Sequence, residues 1–111
     1  MLTIDKLKEY GADVEEGLAR CLNMEDFYIS LVAKAIADDR IPLLEQQIGQ
    51  GDLEQAFETA HALKGMYANL SLTPLSKPVS EMTELLRSRT DADYQPLIEE
   101  AKVQFEALRS L

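Results

Sequence analysis

The sequence predicts an all-α protein, built as an antiparallel up-down four-helix bundle with one or two short additional N-terminal helices. The chain has 111 residues, of which 46% are apolar, and it contains only 5 glycines and 4 prolines. Apolar residues recur at the three- and four-residue spacing of amphipathic helices, and alternating β-branched runs are missing. Short polar joints separate these stretches, as in antiparallel bundles. A chain of this length predicts a single domain spanning residues 1–111.

Two short helices are expected at the N-terminus, followed by a longer one. Thr3 is a suitable N-cap for the first helix, and Gly11 is a suitable end. Asp13 is a suitable N-cap for the second helix, which is expected to run from residue 14 to residue 22. Asn23 is the expected N-cap of the third helix. The apolar residues at helical spacing in that third helix are Phe27, Leu31, Val32, Ala35 and Ile36.

Proline and glycine mark the next two helices. Pro42 fits the first turn of the fourth helix, which is expected to end at the glycine-rich segment 49–51. Asp52 can cap the fifth helix, predicted at about residues 53–71. Gln55, three residues later, completes a capping-box-like pair.

The last two helices also contain prolines. Thr73 and Pro74 are a suitable start for the sixth helix. Pro78 lies inside that helix, so that either the helix starts one turn later or it is kinked there. Asp93 is expected to cap the seventh helix, with Pro96 in its first turn.

Charge and cysteine content restrict the class of protein. Twenty acidic residues against 11 basic ones give a net charge of −9, which argues against binding to nucleic acid or anionic membranes. The single cysteine, Cys21, allows no intramolecular disulfide and fits a reducing compartment. No stretch resembles a signal peptide or a membrane span. We therefore expect a cytoplasmic monomer, and Met1 favours a free-standing protein.

The fifth helix carries the only histidine of the chain, His61. At ~100° per residue, the imidazole lies at the edge of an apolar side formed by Leu53, Ala56, Phe57, Ala60, Leu63 and Tyr67. Gly65 lies one turn further along and Glu58 one turn before. A glycine inside a helix costs about 1 kcal/mol relative to alanine. Its place beside the only histidine indicates that clear space is needed there.

The neighbours of His61 suit a phosphoryl group on the imidazole. A neutral imidazole is a good nucleophile, and phosphorylation adds close to two negative charges. Lys64, one turn on, can place its ammonium beside such a group. Ala62, Ala68 and Asn69 keep the rest of the rim small. A lone histidine is more often an ordinary surface residue, but the H-x-x-K-G spacing favours a phosphoryl carrier.

The pattern H-x-L-K-G-x-x-x-x-L closely resembles the phosphoacceptor helix of histidine-containing phosphotransfer (HPt) domains, and the similarity extends from about Val14 through the last helix. The matching residues are His61, Leu63, Lys64, Gly65, Asn69 and Leu70. The resemblance implies that His61 carries a phosphoryl group to and from aspartates of receiver domains in a two-component phosphorelay. Lys64 would neutralise the group, and Gly65 would give access to it.

The same resemblance implies the partners. Response-regulator receiver domains and a hybrid sensor kinase are expected, and Mg²⁺ with its acidic pocket is expected in the receiver domain. No cofactor is therefore expected in this chain, nor any kinase or phosphatase activity of its own. The surface expected to dock receiver domains is formed by Glu58, Ala62, Ala68, Asn69, Thr83 and Arg87.

Three residues bear on an alternative function. Ser71 stands where the family usually has glycine, which should alter the loop. Thr83 is the nearest match in register for the acidic or amide residue that often faces the histidine, so the imidazole would be oriented weakly or through water. Together with Pro78, these residues leave open a non-phosphorylated helical interaction module that keeps the bundle but not the relay.

Metal binding and autonomous catalysis have little support in the sequence. Glu58 and His61 form an E-x-x-H pair, the ligand spacing of di-iron bundles, but such sites need two of these motifs. No metal site is therefore expected. The sequence also contains no Gly-rich phosphate-binding loop.

Overall fold

Seven α-helices and no strand make up the structure, a computed structural model that describes residues 1–111. None of the helices combines the length and the hydropathy that a membrane span requires. The helices are α1 (Ile4–Tyr10), α2 (Val14–Arg20), α3 (Glu25–Ala37), α4 (Ile41–Gly49), α5 (Leu53–Asn69), α6 (Thr73–Arg87) and α7 (Gln95–Arg109).

Helices α4 to α7 close into a four-helix bundle. Helix α5 packs against α6, α6 packs against α7, and α4 contacts both α5 and α7. Short connections reverse the chain between consecutive members, which gives the antiparallel arrangement. An ion pair between Lys102 and Glu45, 2.7 Å apart, links α7 to α4 at the surface. The predicted fold class is confirmed, and the short helices α1 and α2 are the expected N-terminal additions.

Three of the predicted helix caps are present. The side-chain oxygens of Thr3, Asp13 and Asp52 each accept a hydrogen bond from the backbone N–H three residues later, at 3.2 Å. Gly11 ends α1 in the left-handed conformation, with φ of 110°. The capping box at α5 is not completed, because the backbone N–H of Asp52 donates to the carbonyl of Gln47.

The start and the inward face of α3 differ from the prediction. Its N-cap is Met24, and Asn23 instead adopts a left-handed turn conformation with φ of 59°. Phe27 is 47% exposed, whereas Tyr28 is completely buried. Because each residue turns a helix by about 100°, placing Tyr28 inward turns Phe27 towards solvent. The hydroxyl of Tyr28 donates to the carbonyl of Leu70 at 2.7 Å.

The observed bounds of α6 test one of the two alternatives that Pro78 raised. The helix begins at Thr73 and continues through Pro78, so the alternative of a start one turn later is wrong. Pro78 is buried, as are the apolar residues that follow it on the inward face. At α7 the N-cap is Tyr94 rather than Asp93, although the Asp93 carboxylate accepts a hydrogen bond from the N–H of Gln95 at 3.1 Å.

Helix α5 ends at Asn69, two residues earlier than predicted, and α2 holds this end. Ser71 adopts a left-handed conformation with φ of 56°, which glycine takes most easily. Its hydroxyl donates to Glu16 at 3.1 Å and accepts from Arg20. Arg20 also donates to the carbonyl of Ala68 at 2.6 Å, which accepts in addition from the backbone N–H of Ser71 at the end of the helix.

Because α2 and α3 approach closely at Gly17, one added methyl group there should lower the stability of the protein. A Cβ on Gly17 would lie 2.6 Å from the Tyr28 ring. We expect Gly17→Ala to lower the free energy of unfolding by about 1–3 kcal/mol, the usual cost of overpacking. Gly49→Ala is the matched control, because a Cβ on Gly49 meets nothing within 4 Å. Urea unfolding would measure both, and equal gains in stability would contradict the packing described here.

Loss of the hydroxyl should change the free energy of unfolding in opposite directions at two buried tyrosines. The hydroxyl of Tyr67 is buried without a hydrogen-bond partner, whereas that of Tyr28 is bonded. Burial raises the pKa of Tyr28 to about 12, so its hydroxyl stays protonated and donates at neutral pH. We expect Tyr67→Phe to raise the free energy of unfolding by about 1 kcal/mol and Tyr28→Phe to lower it by a similar amount. A loss of stability in Tyr67→Phe would show that its hydroxyl is bonded in solution.

Candidate functional site

The only histidine lies on the exposed side of the bundle's central helix. His61 is in the third turn of α5, with its side chain exposed to solvent. The opposite side of the same helix is completely buried through Ala56, Ala60, Leu63 and Tyr67. Helix periodicity therefore divides α5 into a packed face and an open face, and the imidazole belongs to the open one.

The imidazole stacks on an aromatic ring one turn earlier. The ring centroids of His61 and Phe57 are 5.5 Å apart, with 20° between the ring planes. Aromatic pairs in this offset arrangement contribute about 0.5–1.5 kcal/mol beyond their buried area. The guanidinium groups of Arg87 and Arg89 lie 5.1 and 5.3 Å from the centroid of Phe57. The site therefore joins α5 to the C-terminal end of α6 through Phe57.

The charge of Lys64 is not paired within the protein. The six ion pairs of the structure involve other basic residues. Lys64 is half-buried, as expected for a lysine whose stem lies along apolar surface and whose head reaches water. It lines an open groove of about 650 Å³ between α5 and α6, together with Ala68, Glu81 and Glu84. A cation is therefore available one turn from His61.

Gly65 has no structural reason to be a glycine. It lies within α5, away from the two glycines that have positive φ, Gly11 and Gly51. A Cβ built on Gly65 meets nothing within 4 Å. Neither backbone conformation nor close packing therefore requires the glycine, and the space beside His61 is open.

The sequence-based register on α6 was wrong by one residue. Thr83 is completely buried, and its hydroxyl donates to the carbonyl of Val79 at 2.7 Å, so it neither faces solvent nor belongs to a docking surface. Its neighbour Glu84 is exposed on the side towards α5. The packing of α6 against α5 decides which of the two faces the histidine, because neighbouring residues of a helix point about 100° apart.

Glu84 is the acidic residue of α6 near the histidine. A hydrogen bond from Arg87, 3.0 Å long, and the Arg87 charge hold the pKa of Glu84 below its ordinary value. The charges of Lys64 and His61 add smaller effects in the same direction. The i,i+3 spacing of Glu84 and Arg87 could have predicted this pair from the sequence.

The other residues expected to dock a partner are all exposed, and two of them line different grooves. Exposed positions are Glu58, Ala62, Ala68, Asn69 and Arg87. Ala68 lines the groove between α5 and α6. Asn69 instead lines a second groove of about 330 Å³ on the α3 side of α5, beside Leu31 and Met66. His61, Gly65, Glu58 and Ala62 lie between these two grooves on the open face.

Besides Glu84, two residues near the histidine were not assigned a role by sequence analysis. Phe57 was placed on the apolar side of α5, yet it is only half-buried and contacts His61. The i,i+4 spacing between Phe57 and His61 could have indicated this contact from the sequence. Arg89 follows the end of α6 and had no such signal, because its position depends on the turn after that helix. No group of three or more histidine, cysteine, aspartate or glutamate side chains is arranged to hold a metal ion.

Comparison with known proteins agrees with this geometry. A family model described as Hpt domain matches residues 33–111, from the middle of α3 to the end of the chain. Searches of curated proteins and of solved structures each returned no match. The similarity noted for residues 14–32 lies outside the matched segment and stays a prediction. Because the match covers most of the chain and includes the histidine helix, this protein belongs to the Hpt domain family, whose members are phosphotransfer modules of two-component systems.

Proposed function

We propose that this protein carries a phosphoryl group on His61 between receiver-domain aspartates of a phosphorelay. The observation that carries the proposal is the open face of α5, where an exposed imidazole, an unpaired lysine and an unobstructed glycine adjoin each other. A nitrogen lone pair of His61 attacks the phosphorus of a receiver aspartyl phosphate. The N–P bond forms as the P–O bond to the aspartate breaks, and the carboxylate leaves. The reverse step passes the group to another receiver domain.

The charge on the open face supports this role. Phosphorylation adds close to two negative charges to a protein that already has a net charge of −9. Lys64 is one turn from His61 and is free to pair with the phosphoryl oxygens. Phosphoryl transfer depends mainly on positioning and charge neutralisation. We propose that Mg²⁺ and its ligands belong to the receiver domain, and that this chain is a carrier with no kinase or phosphatase activity.

The departures from the family pattern leave the open face intact. Ser71 adopts a left-handed conformation at the end of α5, and Pro78 is accommodated inside α6. Both lie away from the surface around His61. Of the three residues that left open an interaction module without phosphorylation, only Thr83 still supports it. Thr83 is buried and therefore does not orient the imidazole.

We expect His61→Gln to abolish phosphorylation without changing the fold. The wild type, incubated with a phosphorylated receiver domain or with phosphoramidate, should gain an acid-labile adduct that intact-mass measurement detects. Glutamine cannot accept the group, and the exposed position tolerates it, so circular dichroism should be unchanged. Lack of an adduct on the folded wild type with several donors would favour the interaction module. Retention of the adduct in His61→Gln would place the acceptor elsewhere.

We expect Gly65→Ala to stabilise the protein and to slow transfer from a receiver domain. Alanine is favoured over glycine in a helix by about 1 kcal/mol, and the structure has room for the methyl group. The same methyl group would stand beside His61 at the surface that a receiver domain approaches. Thermal unfolding and single-turnover transfer measure the two effects. Full transfer activity in a Gly65→Ala variant of increased stability would contradict the access role of the glycine.

The matched control for access is the small donor. Phosphoramidate is much smaller than a receiver domain, so the methyl group of Gly65→Ala should slow labelling by phosphoramidate less than transfer from a receiver domain. Equal slowing with both donors would indicate that the methyl group disturbs the imidazole itself rather than the docking of a partner.

A further inference from the structure

We infer that Phe57 is a positioning residue for phosphoryl transfer, holding the His61 imidazole in a fixed plane on the open face of α5. The inference rests on the proposed function, because it concerns the orientation of the phosphoacceptor. Phe57 takes no part in bond making. Its role is to restrict an exposed side chain that would otherwise sample several rotamers.

The contact between the two rings carries the inference. The centroids are 5.5 Å apart and the planes differ by 20°, so the rings lie nearly parallel. The basic nitrogen lone pair of a neutral imidazole lies in the ring plane. Stacking therefore fixes the plane in which His61 can attack phosphorus, while leaving the ring edge free for the incoming group.

The position of Phe57 is itself restrained. Its ring is half-buried and packs against the hydrophobic core, which limits its rotamers. Arg87 and Arg89 place their guanidinium groups within 5.3 Å of its centroid. Arg87 is bonded to Glu84, and Arg89 donates to the carbonyl of Leu86 at 2.7 Å. The end of α6 thus holds the ring on which the imidazole rests.

Neither of the two α6 residues considered for orienting the imidazole is bonded to it. The hydroxyl of Thr83 donates to the carbonyl of Val79 inside α6, and the carboxylate of Glu84 accepts from Arg87. Orientation of reacting groups accounts for a large part of catalytic rates, and small displacements reduce them strongly. Stacking on Phe57 supplies an orientation that neither residue provides through a hydrogen bond.

The geometry can be tested in the unphosphorylated protein. In the wild type, NMR resonances of the His61 ring protons should be shifted upfield by the ring current of Phe57. Phe57→Leu should remove the shift, and Phe57→Tyr should retain it. Random-coil shifts for His61 in the folded wild type would overturn the inference, whatever the folding of the variants.

Transfer kinetics test the role. With a phosphorylated receiver domain, Phe57→Leu should lower the single-turnover rate at saturation by roughly tenfold. The receiver concentration for half-maximal rate should stay unchanged, because only the acceptor is misoriented, and Phe57→Tyr should restore the rate. Phe105→Leu is the matched control, since Phe105 also carries an arginine, Arg109, over its ring but lies on α7 beside Ile41 and Pro42. Its transfer rate should equal that of the wild type.

The outcomes separate this inference from the proposed function. Labelling of His61 in the wild type, with an equal rate in Phe57→Leu, would overturn the positioning role and leave the carrier function standing. A similar loss of rate in Phe105→Leu would attribute the effect to general destabilisation and also overturn it. A wild type that is never labelled would reject the carrier function and, with it, the positioning role.

Discussion

Burial of one side of α5 determines what the rest of the protein can present. Four residues on that side are completely inaccessible to solvent, and burying a large apolar side chain contributes about 1.5–3 kcal/mol. The packed side prevents the helix from rotating, because any rotation would expose Leu63 or Tyr67. His61, Gly65 and Lys64 are therefore held at fixed angles on the open side. The bundle acts as a rigid support for one exposed imidazole.

The N-terminal helices extend this support beyond the segment that matches the Hpt family model. Arg20 and Tyr28 bond to the carbonyls of Ala68 and Leu70, at the end of α5 that follows the histidine. The backbone N–H of Asp13 donates to the carbonyl of Ser71. Residues 1–32 lie outside the family match, yet they donate three hydrogen bonds to carbonyls of the matched segment at the end of α5. The N-terminal third therefore bonds directly to the segment that carries the histidine.

Two of the helical glycines, Gly17 and Gly65, show how packing and function use the same residue type differently. At Gly17 a side chain would meet the Tyr28 ring, so close helix packing requires the glycine. At Gly65 a side chain would meet open space. The glycine therefore lowers the stability of the helix without allowing any closer packing inside the protein. The sequence predicted open space at Gly65, because that glycine lies beside His61, but it contained no sign of the close contact at Gly17. That contact depends on the position of α3 against α2.

The sequence by itself determined the features that depend on local interactions. Caps at Thr3, Asp13 and Asp52 act over three residues, and the exposure of His61 follows from the periodicity of its own helix. The tertiary structure decided which residue of α6 lies near the histidine, which aromatic residue of α3 is buried, and that Phe57 joins His61 to two arginines. These features depend on the rotation of one helix against another. A difference of a single residue in register changes that rotation by about 100°, and no local signal specifies it.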